Sequence, residues 1–142
     1  YRERGERDAE EKEYRAIISQ TPLDIHPQLS LAHFYMERGR LEEMESALRA
    51  TLMVEPTKLA YRSLGDLALG AGSTAEAIAD YRALSGFALE TEEKLEDEYL
   101  LGLAYAQAGA GDSARMQMEK LLILKPDYAP AAELLKRVRG GS

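Results

Sequence analysis

The two histidines are the residues of this chain with the most evident capacity for chemistry. His26 and His33 are seven positions apart, which places both on one face of a helix. Glu37 follows His33 at the i, i+4 spacing that can hold a metal ion. A third ligand is not evident, so surface histidines in contact with solvent are favoured over a metal site. We expect neither a metal nor a cofactor.

Other catalytic patterns are weak. The chain has 25 Asp and Glu residues, but nothing in their spacing distinguishes one pair for acid–base work, and with no Cys it has no thiolate chemistry. Three glycines lie between positions 65 and 72, yet no strand pattern precedes them and no Gly-Lys-Ser follows. A phosphate-binding loop is therefore not expected. The sequence predicts a protein without catalytic activity of its own.

Composition narrows the class of protein. The 142 residues carry 18 Lys and Arg against 25 Asp and Glu, a net charge of 18 − 25 = −7. A general nucleic-acid binder needs a basic stripe, so this balance argues against one. With 45% hydrophobic residues the chain can fold. It has no apolar run of about 18 residues that would span a membrane. The sequence carries no signal for a compartment, and the localisation stays open.

Two sets of residues recur with nearly one period. Glycines that precede a helical pattern are spaced 34, 33 and 37 residues apart, and they are Gly5, Gly39, Gly72 and Gly109. Prolines close the apolar runs at Pro22, Pro56 and Pro126, and Leu89 occupies the place where one more is expected. Because both sets keep the same register, the chain is predicted to be a repeat array.

Further residues keep this phase. A leucine followed by a small residue comes before each loop glycine from Gly39 onward, and the small residue is seven positions before the glycine. These pairs are Leu31-Ala32, Leu64-Gly65 and Leu101-Gly102. Nine residues after each glycine comes a large side chain, in Tyr14, Leu48, Tyr81 and Met118. The pattern resembles the tetratricopeptide repeat family, with Ala32 in place of the first Gly, Met44 and Glu10 in place of Ala, and Leu89 in place of Pro.

The resemblance implies an all-α fold, an α-solenoid in which antiparallel helix pairs, A and B, stack into a right-handed superhelix. The small residue would let helix B approach helix A, and the large residue of helix B would fill the seam to the next unit. The loop glycine would end helix A in a left-handed conformation. We expect eight helices, at about 6–20, 25–38, 41–54, 58–70, 74–88, 92–108, 112–124 and 128–139.

The repeat boundaries follow from the same register. Residues 1–142 would form a single domain composed of a half repeat (1–23), three repeats (24–56, 57–90 and 91–126) and a capping helix (127–139). The half repeat has only a helix B, which suggests a piece of a longer protein. Its apolar face, Tyr14, Ile17 and Ile18, is then expected to receive a second copy of the chain or another domain. Lys136 occupies the place of the small residue, which suits a solvent-facing cap.

Several helix starts are predicted from capping residues. The N-cap candidates are Asp24, Thr57, Thr91 and Asp127, and Ser73 with Glu76 matches a capping box. The longest period adds three residues, about one turn, to the helix that follows Thr91. This turn is acidic, with Glu92, Glu93, Glu96, Asp97 and Glu98. It is either a solvated helix start or an acidic patch for a basic partner.

The family's concave groove, formed by A helices, implies a candidate partner site. Its positions here are His26, Leu29, His33, Met36, Glu37, Arg62, Asp66, Leu69, Glu96, Tyr99, Leu103 and Gln107. The large apolar members either anchor a ligand or are covered by neighbouring A helices. The positions at which chaperone-binding members hold a C-terminal carboxylate are Leu29, His33, Ser63, Glu96 and Leu100. None is Lys, Arg or Asn, so no such clamp is expected.

The functional expectation is a protein–protein interaction scaffold that binds a peptide or partner segment in this groove. The net charge slightly favours a neutral or basic partner. The alternative is a docking, regulatory or oligomerisation extension of a larger enzyme whose catalytic domain lies outside these residues.

Overall fold

In a computed structural model the chain is described over residues 2–87 and 92–140. Those residues form eight helices and no strand, which confirms the all-α prediction. The helices are α1 (Arg2–Gln20), α2 (Ile25–Glu37), α3 (Leu41–Val54), α4 (Lys58–Gly70), α5 (Thr74–Ser85), α6 (Glu92–Gln107), α7 (Gly111–Leu124) and α8 (Ala129–Gly140).

The helices group into two compact units, Tyr1–Ser63 and Leu64–Ser142, whose boundary falls inside α4. In the first unit α2 packs against both α1 and α3. In the second, each of α5, α6 and α7 packs against the helix that follows it. Consecutive helices joined by short connections thus pack side by side, as a helical repeat requires. The repeat boundaries and the single-domain assignment stay predictions.

The turns between helices A and B share one geometry. The Gly39 N–H donates to the Met36 carbonyl at 3.1 Å, and the Arg40 N–H donates to the Tyr35 carbonyl at 3.0 Å. These two bonds define a Schellman motif, which needs a left-handed residue at its centre. The motif recurs, and the φ angles are 69°, 79° and 78° at Gly39, Gly72 and Gly109. The prediction that these glycines end helix A is confirmed.

This turn also explains why the predicted capping box is wrong. Ser73 is the N-cap of α5, but its side chain makes no capping hydrogen bond. Its ψ of 70° lies far from the extended value of 120° at Asp24, whose carboxylate does accept the His26 N–H at 3.0 Å. Arg40 and Ala110 hold nearly the same angles as Ser73. The Schellman bonds therefore fix the start of each helix B, whatever side chain stands there.

The small residues lie where two helices touch. A Cβ added to Gly65 would be 2.6 Å from the Tyr81 ring, and one added to Gly102 would be 2.2 Å from the Met118 methyl. The predicted close approach is confirmed. However, Tyr81 packs on Gly65 of its own helix pair, so it does not serve only the seam to the next unit. Met118 packs on Gly102 of its own helix pair and also fills the seam to the next helix, because it joins a core cluster with α8.

Three details at helix ends differ from the prediction. Gly5 lies inside α1 and not at a turn, because strong helix formers such as Arg4 and Glu6 flank it. α5 ends at Ser85 and not at position 88, because Gly86 and Phe87 donate i, i−3 bonds that close the helix. α8 begins at Ala129, so the N-cap position is Tyr128 and not the predicted Asp127.

Other expectations agree with the structure or fall outside it. At 16 residues α6 is three longer than α2 and α4, which confirms the extra turn. Lys136 is exposed, as expected of a capping helix. Leu89 and the Thr91 cap lie outside the described residues.

The close contacts predict an order of stability for three glycine substitutions. Gly65→Ala should lower the free energy of unfolding by about 1–3 kcal/mol, because the new Cβ would clash with the rigid aromatic ring of Tyr81. Gly102→Ala should lower it less, since the Met118 methyl is the end of a flexible side chain. Urea unfolding measures both.

Gly70→Ala is the matched control, because a Cβ there meets nothing within 4 Å. It should leave stability unchanged or raise it by up to about 1 kcal/mol through helix propensity. Equal losses at Gly65 and Gly70 would contradict the close-packing argument.

Candidate functional site

The predicted groove residues divide between the two units. The first unit holds His26, Leu29, His33, Met36 and Glu37 on α2, and Arg62 on α4. The second holds Asp66, Leu69, Glu96, Tyr99, Leu103 and Gln107. On α2 the two histidines, Met36 and Glu37 are exposed and Leu29 is half-buried. The face of α2 that carries these residues is called the α2 face below.

In the second unit two of the expected apolar anchors have a structural role. Tyr99 and Leu103 are half-buried and pack against the core cluster of Met118, Leu121 and Leu134. Of the two alternatives, ligand anchors or cover by a neighbouring helix, these contacts favour the second for Tyr99 and Leu103. The covering helix is α8, which packs on α6 as well as on α7.

Polar members of the predicted site also have partners. Asp66 accepts a hydrogen bond of 2.6 Å from the Tyr81 hydroxyl, so it helps to hold the ring that covers Gly65. His33 Nε2 lies 3.0 Å from the Glu37 carboxylate, and both side chains are more than half exposed. Within residues 2–87 and 92–140 no group of three or more His, Asp or Glu side chains could hold a metal ion.

A polar network that the sequence did not reveal joins α1 to α2 and α3. The Tyr35 hydroxyl donates to Glu11 at 2.7 Å and accepts from Arg15 at 2.8 Å. Arg40 donates to the other Glu11 oxygen at 3.1 Å and also pairs with Glu43. Since Tyr35 is only 1% exposed, Glu11 reaches into the interface and fixes the position of α1.

The network shifts the titration of its members. The Tyr35 hydrogen bond, with help from Arg40 and Arg15, holds the pKa of Glu11 below its ordinary value, although desolvation acts against this. Burial raises the pKa of Tyr35, and its bond to Glu11 adds to the rise. Both shifts favour a charged Glu11 beside a neutral Tyr35 at neutral pH.

Stacking contacts fix two arginines next to this network. The Arg38 guanidinium lies 3.7 Å from the centroid of the Phe34 ring and pairs with Glu10 at 3.2 Å. Tyr14 meets the same ring edge-on at 5.8 Å. Arg40 lies over the ring of Tyr35, at 4.8 Å. Among the apolar residues of α1, Ile17 stays 47% exposed.

The acidic turn of α6 contains a second network, and two of its acids fit neither the solvated helix start nor the acidic patch for a partner. Asp97 and Glu98 are 3% and 2% exposed. Glu98 accepts a 2.6 Å bond from Ser85 and a short bond from Gln117, and Lys120 lies 4.0 Å away. Glu98 thus links α5, α6 and α7. The burial of Glu98 could have been predicted from the sequence, because Glu98 precedes the contact residue Gly102 by four positions and so lies on the same face of the helix.

Among the helices of the described ranges, none is both long enough and apolar enough to cross a bilayer.

Comparison with known proteins identifies the fold. No family model and no curated protein matches the sequence. Solved structures do match: MamA is 22% identical, with a TM-score of 0.77, over 99% of this chain and 81% of that one. A tetratricopeptide repeat protein from Parabacteroides merdae ATCC 43184 is 22% identical, with a TM-score of 0.76, over 98% of this chain and 56% of its own. Pseudomonas aeruginosa PilF is 18% identical, with a TM-score of 0.72, over 97% and 62%.

These likenesses, together with the helix pairs and their glycines, show that the chain has a tetratricopeptide-repeat-like fold. The resemblance read from the sequence is confirmed at the level of the fold.

Tyr35→Phe tests the first network. It removes the bond to a charged Glu11, so the free energy of unfolding should fall by about 1.5–3 kcal/mol at neutral pH. Because the folded-state pKa of Glu11 is lowered, its contribution is present above the unfolded pKa and is lost as the pH falls through the folded pKa. The difference between wild type and variant should therefore shrink at acidic pH, as measured by urea unfolding across the pH range.

Tyr105→Phe is the control, because the Tyr105 hydroxyl accepts a bond from Arg82 and involves no carboxylate in that contact. Its effect should be nearly constant over the same acidic range. A Tyr35→Phe difference that does not change with pH would contradict the assigned role of Glu11.

Glu98→Ala tests the second network. Removing the carboxylate takes the acceptor from Ser85 and leaves the buried Gln117 amide with only the Glu98 backbone carbonyl, at 3.2 Å, which should lower the free energy of unfolding by about 1–3 kcal/mol. Glu133→Ala removes an exposed acid from α8 and should change it by less than about 0.5 kcal/mol. Equal effects of the two substitutions in thermal or urea unfolding would refute the role of Glu98.

Proposed function

We propose that this chain is a protein–protein interaction scaffold, without catalysis of its own, that holds a partner segment on the exposed faces of its A helices. The observation that carries the proposal is the division of α2. One side packs the interior through Leu31, Ala32 and Tyr35, while the α2 face leaves Met36 45% exposed.

The chemistry of the α2 face suits a protein segment. His26 and His33, and likewise Leu29 and Met36, are seven residues apart and repeat along one line of the helix. An apolar line beside imidazole and carboxylate groups can receive an amphipathic segment. Methionine adapts to different shapes, so Met36 suits an anchor contact.

The roles of three acids at helix contacts support a scaffold over an enzyme. Glu11, Asp66 and Glu98 each accept hydrogen bonds that fix one helix against another. These carboxylates are thus engaged in building the repeat. A general acid or base instead needs to reach the substrate from its place in the site.

The α2 face is tested by comparing two double variants. His33→Ala with Met36→Ala removes two exposed side chains of α2, and Leu41→Ala with Met53→Ala removes two exposed apolar side chains of α3. Tyr99 is unsuitable for this purpose, because it supports the α8 core. Cross-linking to the native partner in the source cells, followed by mass spectrometry, would identify the bound segment.

The α2 pair should lower affinity for that segment at least about tenfold, which corresponds to about 1.4 kcal/mol, while the α3 pair leaves it unchanged. Circular dichroism of both variants checks that the helices persist. Loss of binding in the α3 pair alone would refute the assignment of the face.

A further inference from the structure

A cleft in the first unit carries an unusual set of charges. Its volume is about 360 Å³, and its lining residues are Arg4, Arg7, Asp8, Arg38 and Arg40. Four of the five lining residues are arginines and one is an aspartate, whereas the whole chain carries −7. A local concentration of guanidinium groups in an acidic protein points to an anionic ligand.

The arginines on the two sides of the cleft differ in their setting. Arg38 and Arg40 are held by the rings of Phe34 and Tyr35 and by ion pairs, and their side chains are only 21% and 38% exposed. Groups fixed in this way lose little side-chain freedom when they bind a ligand. Arg4 and Arg7 stand on α1, one turn apart.

The acids that pair with these arginines do not remove the donors. Glu10, Glu11, Glu37 and Glu43 pair with Arg38 and Arg40, but none of the four lines the cleft. A guanidinium has five N–H donors, and the bonds of Arg40 to Glu11 and Glu43 use three of them. The cleft wall thus keeps donors that suit carboxylate oxygens.

We propose that this cleft binds an acidic segment of a partner protein, one that inserts two or more carboxylates among Arg4, Arg7, Arg38 and Arg40. The volume exceeds what a single carboxylate fills, and this favours a segment with several acidic side chains. The site is distinct from the α2 face. It rests on the proposed function only in that a protein supplies the segment.

The test uses a fluorescein-labelled hexaglutamate peptide and fluorescence anisotropy with the whole chain. Arg4→Ala with Arg7→Ala should weaken binding at least about tenfold, since it removes two charged donors. Arg49→Ala with Arg115→Ala removes the same charge from exposed ion pairs on α3 and α7 and should have little effect. Asp8→Asn should strengthen binding several-fold, because it removes the one acid in the lining.

The contrary results are equally definite. No binding of hexaglutamate at low salt, or an equal loss in the Arg49 and Arg115 variant, would overturn the proposal. Displacement of the peptide by equimolar inorganic phosphate would also overturn it, in favour of a small-anion site. The His33→Ala with Met36→Ala variant of the α2 face should still bind hexaglutamate. The cleft and the proposed function of the α2 face can therefore be refuted separately.

Discussion

The close approach of paired helices is the constraint on which the rest of the structure depends. In the second unit Gly65 and Gly102 leave no side chain at the contact, and Tyr81 and Met118 fill the space directly. Helices that meet this closely need a short connection of fixed shape, and the Schellman turns at the loop glycines provide it. Together, the two features set which side of each helix A is buried and which stays available to a partner.

Polar side chains add specificity to this packing. Asp66 holds the Tyr81 ring in the position that Gly65 allows, and Glu98 joins three consecutive helices. In the first unit Glu11 reaches Tyr35 and Arg40, which ties α1 to the pair beside it. An acidic chain therefore places part of its negative charge between helices, where donors surround it. The cleft lies next to that arrangement, since Arg40 belongs to both.

Much of the fold was readable from the sequence because it depends on residues with few alternatives. A left-handed turn favours glycine, and a tight contact excludes large side chains, so their period predicted the helix pairs. Together with the capping residues it placed seven of the helix starts to within one residue. The first helix was the exception. Gly5 fitted the period but not a turn, because a single glycine costs a helix only about 1 kcal/mol.

What the sequence did not reveal depends on groups brought together by packing. Gln117 and Ser85 stand 19 and 13 positions from Glu98, and nothing in their local patterns marks them as its partners. Tyr99 matched a groove position, yet it supports α8. The capping box at Ser73 failed for a related reason, because backbone bonds from the preceding turn had already set its conformation.

The close approach is tested most directly by nuclear magnetic resonance of the whole chain. If the helices meet as described, nuclear Overhauser effects will connect the Gly65 α protons to the Tyr81 ring and the Gly102 α protons to the Met118 methyl. The Tyr81 ring current will also displace the Gly65 α resonances from ordinary helical positions. Ordinary Gly65 shifts with neither set of effects would contradict the account.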